Sequence, residues 1–223
     1  MGALMTGFAP LVARLASAFD LGMIRRLGGM SLFAAVAIGL AAPAHAVDSR
    51  RSAAGLLPVR AVVSAPQGAG NLCSTYAWAC ATSTKQVAFT KEALDVARQI
   101  NSRVNRSVRP VSDLQQFRVE ERWTLPTKRG GDCEDYALAK KRELINAGFA
   151  PQSLLIATVL DRKGGSHAVL VLRTGAQDLV LDNLTGTIKP WQKTGYTFLR
   201  VQDPQNPARW MSVFAGGMFA KTS

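Results

Sequence analysis

The hydrophobic period of this chain changes once, at Gly148, and that change limits the folds open to it. Before it, apolar residues recur at helical spacing. Thr90 can N-cap a helix running to about Ser107, with Leu94, Ala97, Ile100, Val104 and Val108 on one face, and Pro110 ends it. A second helix is predicted from about Asp132 to Asn146, with Gly148 as its stop. After Gly148 the apolar runs are short and partly β-branched. Residues 153–160, 167–173, 179–184 and 196–202 read as strands. Lys163-Gly164-Gly165 and Thr174-Gly175-Ala176 look like hairpin connections, so the sheet is expected to be antiparallel. Helices followed by strands, without internal repeat, predict one α+β domain.

The first 46 residues stand apart from that domain. Arg25-Arg26 precede an apolar run from Met30 to Ala42, and Pro43-Ala44-His45-Ala46 ends in small residues. This reads as a secretory signal peptide cleaved after Ala46. The run falls short of the roughly 20 residues a membrane span needs, so no stable span is expected after cleavage. Met23 is an alternative start. Residues 47–70 are rich in Arg, Ala, Gly, Pro and Ser and predict a loosely ordered lead-in, leaving 71–223 as the folded domain. The formal net charge is +12. The basic residues are scattered, and no zinc-finger or RNA-recognition signature accompanies them, which argues against nucleic acid as a partner.

Export also sorts the three cysteines. An oxidising compartment would permit a local disulfide between Cys73 and Cys80. Cys133 is then the odd thiol. It lies in Gly130-Gly131-Asp132-Cys133-Glu134-Asp135-Tyr136, where a glycine turn gives way to the second helix. A helix N-terminus lowers a thiol pKa, because unpaired N–H groups and the positive end of the dipole face the sulfur. Asp132, Glu134 and Asp135 oppose that effect. A hard cation would neutralise them, and clustered carboxylates are the oxygen ligands calcium takes. Charge complementarity at a helix start is the other reading of the same acids.

Of the two histidines, His45 leaves with the leader. His167 remains, after a glycine turn and at the start of an apolar strand, in position to serve as a general base. Asp182, on the adjacent strand one short turn later, could fix its tautomer, with Asp178 and Asn183 as alternatives. The Cys133 backbone N–H can donate to an oxyanion. The Trp123 indole is either a second donor or an ordinary core residue.

Trp123-Thr124-Leu125-Pro126, Gly131-Asp132-Cys133-Glu134-Asp135-Tyr136, Ser166-His167-Ala168-Val169-Leu170 and Leu181-Asp182-Asn183, in that order, resemble the bacterial transglutaminase-like cysteine peptidases. The resemblance covers roughly residues 70–215. It implies a papain-like, transglutaminase-core α+β fold, with the catalytic cysteine at a helix N-terminus packed on an antiparallel sheet. It also implies a triad of Cys133, His167 and Asp182, and the Cys73/Cys80 pair is similar to one found in the family before the first helix. The best-known members are periplasmic, calcium-dependent proteases that clip the N-terminal region of large biofilm adhesins. Their metal-binding acids match Asp132, Glu134 and Asp135. A further ligand corresponds most nearly to Glu121, where the family usually has aspartate, with Arg122 beside it. An exported endopeptidase is therefore the expected activity. An acyltransferase or amidase would use the same thiol intermediate, and a non-catalytic binding module would keep only the fold.

Overall fold

The computed structural model describes residues 55–84 and 89–220. The predicted leader and residues 47–54 lie outside the described residues. Among those described, no helix is long and apolar enough to cross a membrane.

A short helix α1 (Leu72–Thr75) and the following 3-10 turn (Ala77–Cys80) are joined by a Cys73–Cys80 disulfide. Helix α2 (Lys91–Ser107) begins where Thr90 Oγ1 accepts the Ala93 N–H at 3.2 Å. This satisfies one of the donors that a helix start leaves open. Its Ala97, Ile100 and Val104 are buried, with Leu94 packed alongside. Helix α3 (Asp113–Phe117) is short and capped by Ser112.

Helix α4 (Cys133–Asn146) is different, with every residue from Glu134 to Lys141 buried. A helix buried all round is a core element rather than a surface one. It ends in a Schellman motif: Phe149 N–H bonds Leu144 O, and Gly148, at φ +97°, bonds Ile145 O. The left-handed backbone at that point suits glycine.

Seven antiparallel strands form one sheet in the order β1-β7-β6-β2-β3-β4-β5. They are β1 (Val62–Val63), β2 (Leu154–Leu160), β3 (Ser166–Arg173), β4 (Asp178–Leu181), β5 (Lys189–Pro190), β6 (Thr197–Gln202) and β7 (Trp210–Ala215). The four runs read from sequence correspond to β2, β3, β4 and β6, and the fold is the expected α+β. Alternation places Leu154, Ile156, Leu170, Leu172 and Leu181 against the helices. Leu155, Ala157, Val169, Val171 and Val180 face a second core with Trp191, Tyr196 and Phe198. Burial on both faces explains why these strands read as continuous apolar runs.

The lead-in departs from expectation. From Gly55 onward it is fixed to the second core rather than loose. Leu57 is buried and its N–H bonds Asp178 Oδ2 at 2.7 Å, while the Trp191 indole donates to Gly55 O at 3.1 Å. Residues 62–63 then add the edge strand β1 to β7. The sequence hid this, because Pro, Gly and small residues break up the apolar positions and leave no helical or strand period.

Candidate active site

The glycine turn sets the start of α4. Gly130 has φ +130°, and a Cβ there would come 2.0 Å from Arg109 O. Only glycine lets this turn lie against the end of the preceding loop. Gly131 N–H then bonds Arg109 O, and Val111 N–H bonds Gly131 O, each at 3.0 Å. Asp132 is the N-cap residue, but its side chain turns away from the helix and accepts the Asp113 N–H at 3.0 Å. Cys133 is therefore the first helical residue, with its own backbone N–H at the open end of the helix.

The half-buried sulfur donates to Glu134 Oε2 at 3.2 Å. Burial pushes the thiol pKa well up, and the Glu134 charge and hydrogen bond push it further; the Ala168 N–H pulls the other way. The helix N-terminus does not overcome burial and the charges of Glu134 and Asp132. Ala168 follows His167 directly, so the start of β3 lies against the sulfur. The imidazole itself makes no hydrogen bond to it.

His167 is buried, and its Nε2 lies 2.9 Å from Asp182 Oδ1. That oxygen also accepts the Leu184 N–H at 3.0 Å, and Asp182 Oδ2 accepts the Tyr196 hydroxyl at 2.5 Å. Burial alone would raise the Asp182 pKa, but the hydrogen bonds from His167, Tyr196 and Leu184 outweigh it and hold the carboxyl below its ordinary range. Helix α2 steadies the loop from outside, since Asn105 Nδ2 donates to Asp182 O at 2.8 Å and Asn101 Nδ2 to Gly186 O at 3.1 Å. Asp178, an alternative for the third role, is held instead by both arms of Arg173 at 2.9 and 2.7 Å.

The acids form a second cluster, which includes the Glu134 that Cys133 donates to. Carboxylate oxygens of Asp113, Asp132 and Glu134 all lie within 4.8 Å of one another. Asp113 Oδ1, Asp132 Oδ1 and Glu134 Oε1 are buried and accept no hydrogen bond. Burial, then the Asp132 charge, lifts the Glu134 pKa to about 9. Burial also raises Asp113, against the pull of the Arg122 N–H that its Oδ2 accepts.

Two predicted ligands stand outside this group. Asp135 Oδ1 is held by the Thr124 N–H at 2.9 Å and the Thr124 hydroxyl at 3.3 Å. Burial lifts its pKa to about 7, with the Asp132 and Asp113 charges adding to the effect. Glu121 is raised by burial and by the charges of Asp132 and Asp113, while its carboxyl takes a hydrogen bond from Trp123. Trp123 itself is buried in the core, edge-on to Trp210 at 5.6 Å.

Sequence reasoning missed Asp113 and Tyr196. The first carries no motif and reaches the cluster only through the loop between α3 and α4. The second reads as one more aromatic at a strand start.

A thiol at a helix start thus lies beside the strand that carries His167, which pairs with Asp182. Residues 59–217 match the family described as bacterial transglutaminase-like cysteine proteinase. The chain belongs to that family and is a cysteine peptidase. Solved structures of LapG from Legionella pneumophila are similar to it in part. The calcium-bound form is 20% identical with a TM-score of 0.47, covering 57% of this chain and 75% of that one. A second LapG structure is 18% identical with a TM-score of 0.44, covering 56% and 70%. The EGTA-treated form is 18% identical with a TM-score of 0.40, covering 63% and 83%. No curated protein sequence matches the chain.

Proposed function

We propose that this peptidase is an exported endopeptidase using Cys133 as nucleophile, His167 as general base and Asp182 as the group that orients His167. The observation that carries this reading is the 2.9 Å His167–Asp182 pair, with His167 on β3 directly before Ala168, whose N–H lies against the Cys133 sulfur. A carboxylate only accepts, so the Nε2 facing it carries the proton and Nδ1 is left for the thiol. His167 takes the thiol proton as sulfur attacks the scissile carbonyl. It then gives that proton to the leaving amine, and water resolves the acyl-enzyme. Asp182 remains ionised and steadies the imidazolium. The Cys133 backbone N–H can donate to the developing oxyanion.

Asp113, Asp132 and Glu134 are the residues that would hold calcium. Their unpaired buried oxygens suit a hard cation, which takes oxygen ligands and offsets the charge of clustered carboxylates. Bound there, calcium would neutralise acids that otherwise suppress thiolate formation at Cys133. The substrate is proposed to be a periplasmic or cell-surface protein, of the adhesin type implied by the motif resemblance.

Comparing new N-termini released from cells carrying the unsubstituted chain with those from cells carrying Cys133→Ala tests this. The expected result is a set of extracellular fragments that vanishes with the sulfur. Fragments that persist unchanged in the Cys133→Ala cells would refute the nucleophile.

A further inference from the structure

The hydroxyl of Tyr196 has a role that its ring does not account for. The ring belongs to the second core and lies edge-on to His167, with centroids 5.8 Å apart. A phenylalanine would fill that space equally well. The hydroxyl, by contrast, is aimed at Asp182 Oδ2 at 2.5 Å in a buried setting. Asp182 Oδ1 is already engaged by His167 and Leu184. Among the described residues, the phenol is the hydrogen-bond donor on the other oxygen.

A carboxylate tied through one oxygen can swing about its Cβ–Cγ bond, whereas one tied through both is fixed in plane. Charge-assisted hydrogen bonds in a buried site are the strong ones. We propose that Tyr196 is a positioning residue of this site, holding the Asp182 carboxylate in the plane that fixes the His167 ring. The inference rests on the Cys133–His167–Asp182 reading and deepens it.

Tyr196 is itself held in place from several sides. Its N–H bonds Thr194 Oγ1 at 3.1 Å, and that hydroxyl donates to Trp191 O at 2.7 Å. Arg162 Nε donates to Thr194 O at 2.8 Å. Gly216, at φ +75°, packs so closely that a Cβ there would come 2.5 Å from Tyr196 O. The ionisable groups around the pair are His167 from β3, Lys140 from α4, and Asp161 and Arg162 from the β2–β3 connection. Tyr196 is the one that hydrogen-bonds Oδ2.

The test uses the full chain with iodoacetamide as the thiol probe at pH 7, and proton NMR of the His167 Nε2–H. Tyr196→Phe is expected to slow Cys133 alkylation roughly tenfold and to speed solvent exchange of the Nε2 proton by a similar factor, the loss of one charge-assisted hydrogen bond. In an Asp182→Asn background the same substitution is expected to change neither, because the coupling runs through the carboxylate. Equal effects in both backgrounds, or none in either, would overturn the proposal. In the unsubstituted protein, a slowly exchanging Tyr196 hydroxyl proton that is lost on Asp182→Asn is a second check that does not depend on folding of the phenylalanine variant; its absence counts against the proposal. Should His167→Ala alkylate at the unsubstituted rate, the catalytic reading falls, while the exchange measurement still decides whether Tyr196 holds Asp182.

Discussion

The two clusters flanking Cys133 are both buried and both built on carboxylates, yet they are satisfied in opposite ways. On the β3 side, both oxygens of Asp182 are engaged, by His167, Leu184 and Tyr196, and the carboxyl is held below its ordinary pKa range. On the α4 side, Asp113, Asp132 and Glu134 each leave a buried oxygen unpaired, and Glu134 is pushed up to about 9 by burial and by Asp132. A buried polar group without a partner costs free energy, and a buried charge without one costs more. The first cluster is therefore complete as the chain folds. The second is completed only by something that brings positive charge, and Cys133 sits where the two meet.

The largest expected effect tests the complete side. His167→Ala removes the proposed base while leaving the acids untouched. It should reduce turnover by about 10³-fold, the scale on which general bases act. Cleavage of a released surface fragment, followed by mass spectrometry, provides the readout. Retention of most activity would mean that the ordered His–Asp pair is structural, and the contrast between the clusters would lose its functional meaning.

The incomplete side is tested by the cation. A ligand that binds the native state at about 100 times its dissociation constant stabilises it by about 2.7 kcal/mol. For a domain of this size that is a rise of several degrees in melting temperature. Calcium should give such a rise and EGTA should abolish it. Asp113→Asn should remove the calcium response, whereas Asp135→Asn, whose Oδ1 is held by Thr124 and which lies outside the Asp113–Asp132–Glu134 cluster, should largely keep it. A calcium response that survives Asp113→Asn but is lost with Asp135→Asn would reinstate the ligand set expected from sequence.

That reversal would be instructive, because it marks where the sequence stopped being legible. Cys133, His167 and Asp182 could be picked out because each lies at an element boundary, next to a glycine turn or a strand end. There, local chemistry and local pattern coincide. Asp113 could not, since its closeness to Asp132 depends on how the loop after α3 doubles back through the Arg109–Gly131 contacts. Helices α2 and α4 and four strands were readable from periodicity, whereas the one-turn helices α1 and α3 were not. Strands β1, β5 and β7 were not; β1 and β5 are two residues long and owe their order to their partners. The buried lysines of α4 were also unreadable, because a Lys-Lys pair in a helix ordinarily marks a solvent face.

One of those lysines gives the smallest effect and shows a third way of handling a buried charge. Lys141 is fully buried, and its ammonium donates to Gln202 Oε1 at 2.8 Å. Burial lowers its pKa to about 7. A lysine whose folded pKa lies below its unfolded value binds fewer protons in the native state, so stability rises with pH from about 7 toward the unfolded value near 10.5. Below pH 7 the full cost is present. Between pH 7 and pH 8 this one group should add about 1 kcal/mol, measurable as the difference between the urea-midpoint pH slopes of the unsubstituted protein and Lys141→Met. Lys141→Met should lower the pH slope of stability by that amount without creating a new unpaired acceptor, because Gln202 Oε1 also accepts the Ile156 N–H at 3.1 Å. The cation response of the acidic cluster should be unaffected by the substitution. If the slope is unchanged in Lys141→Met, the ammonium is solvated better than its burial implies, and a buried charge on α4 need not bind a counter-ion to be tolerated.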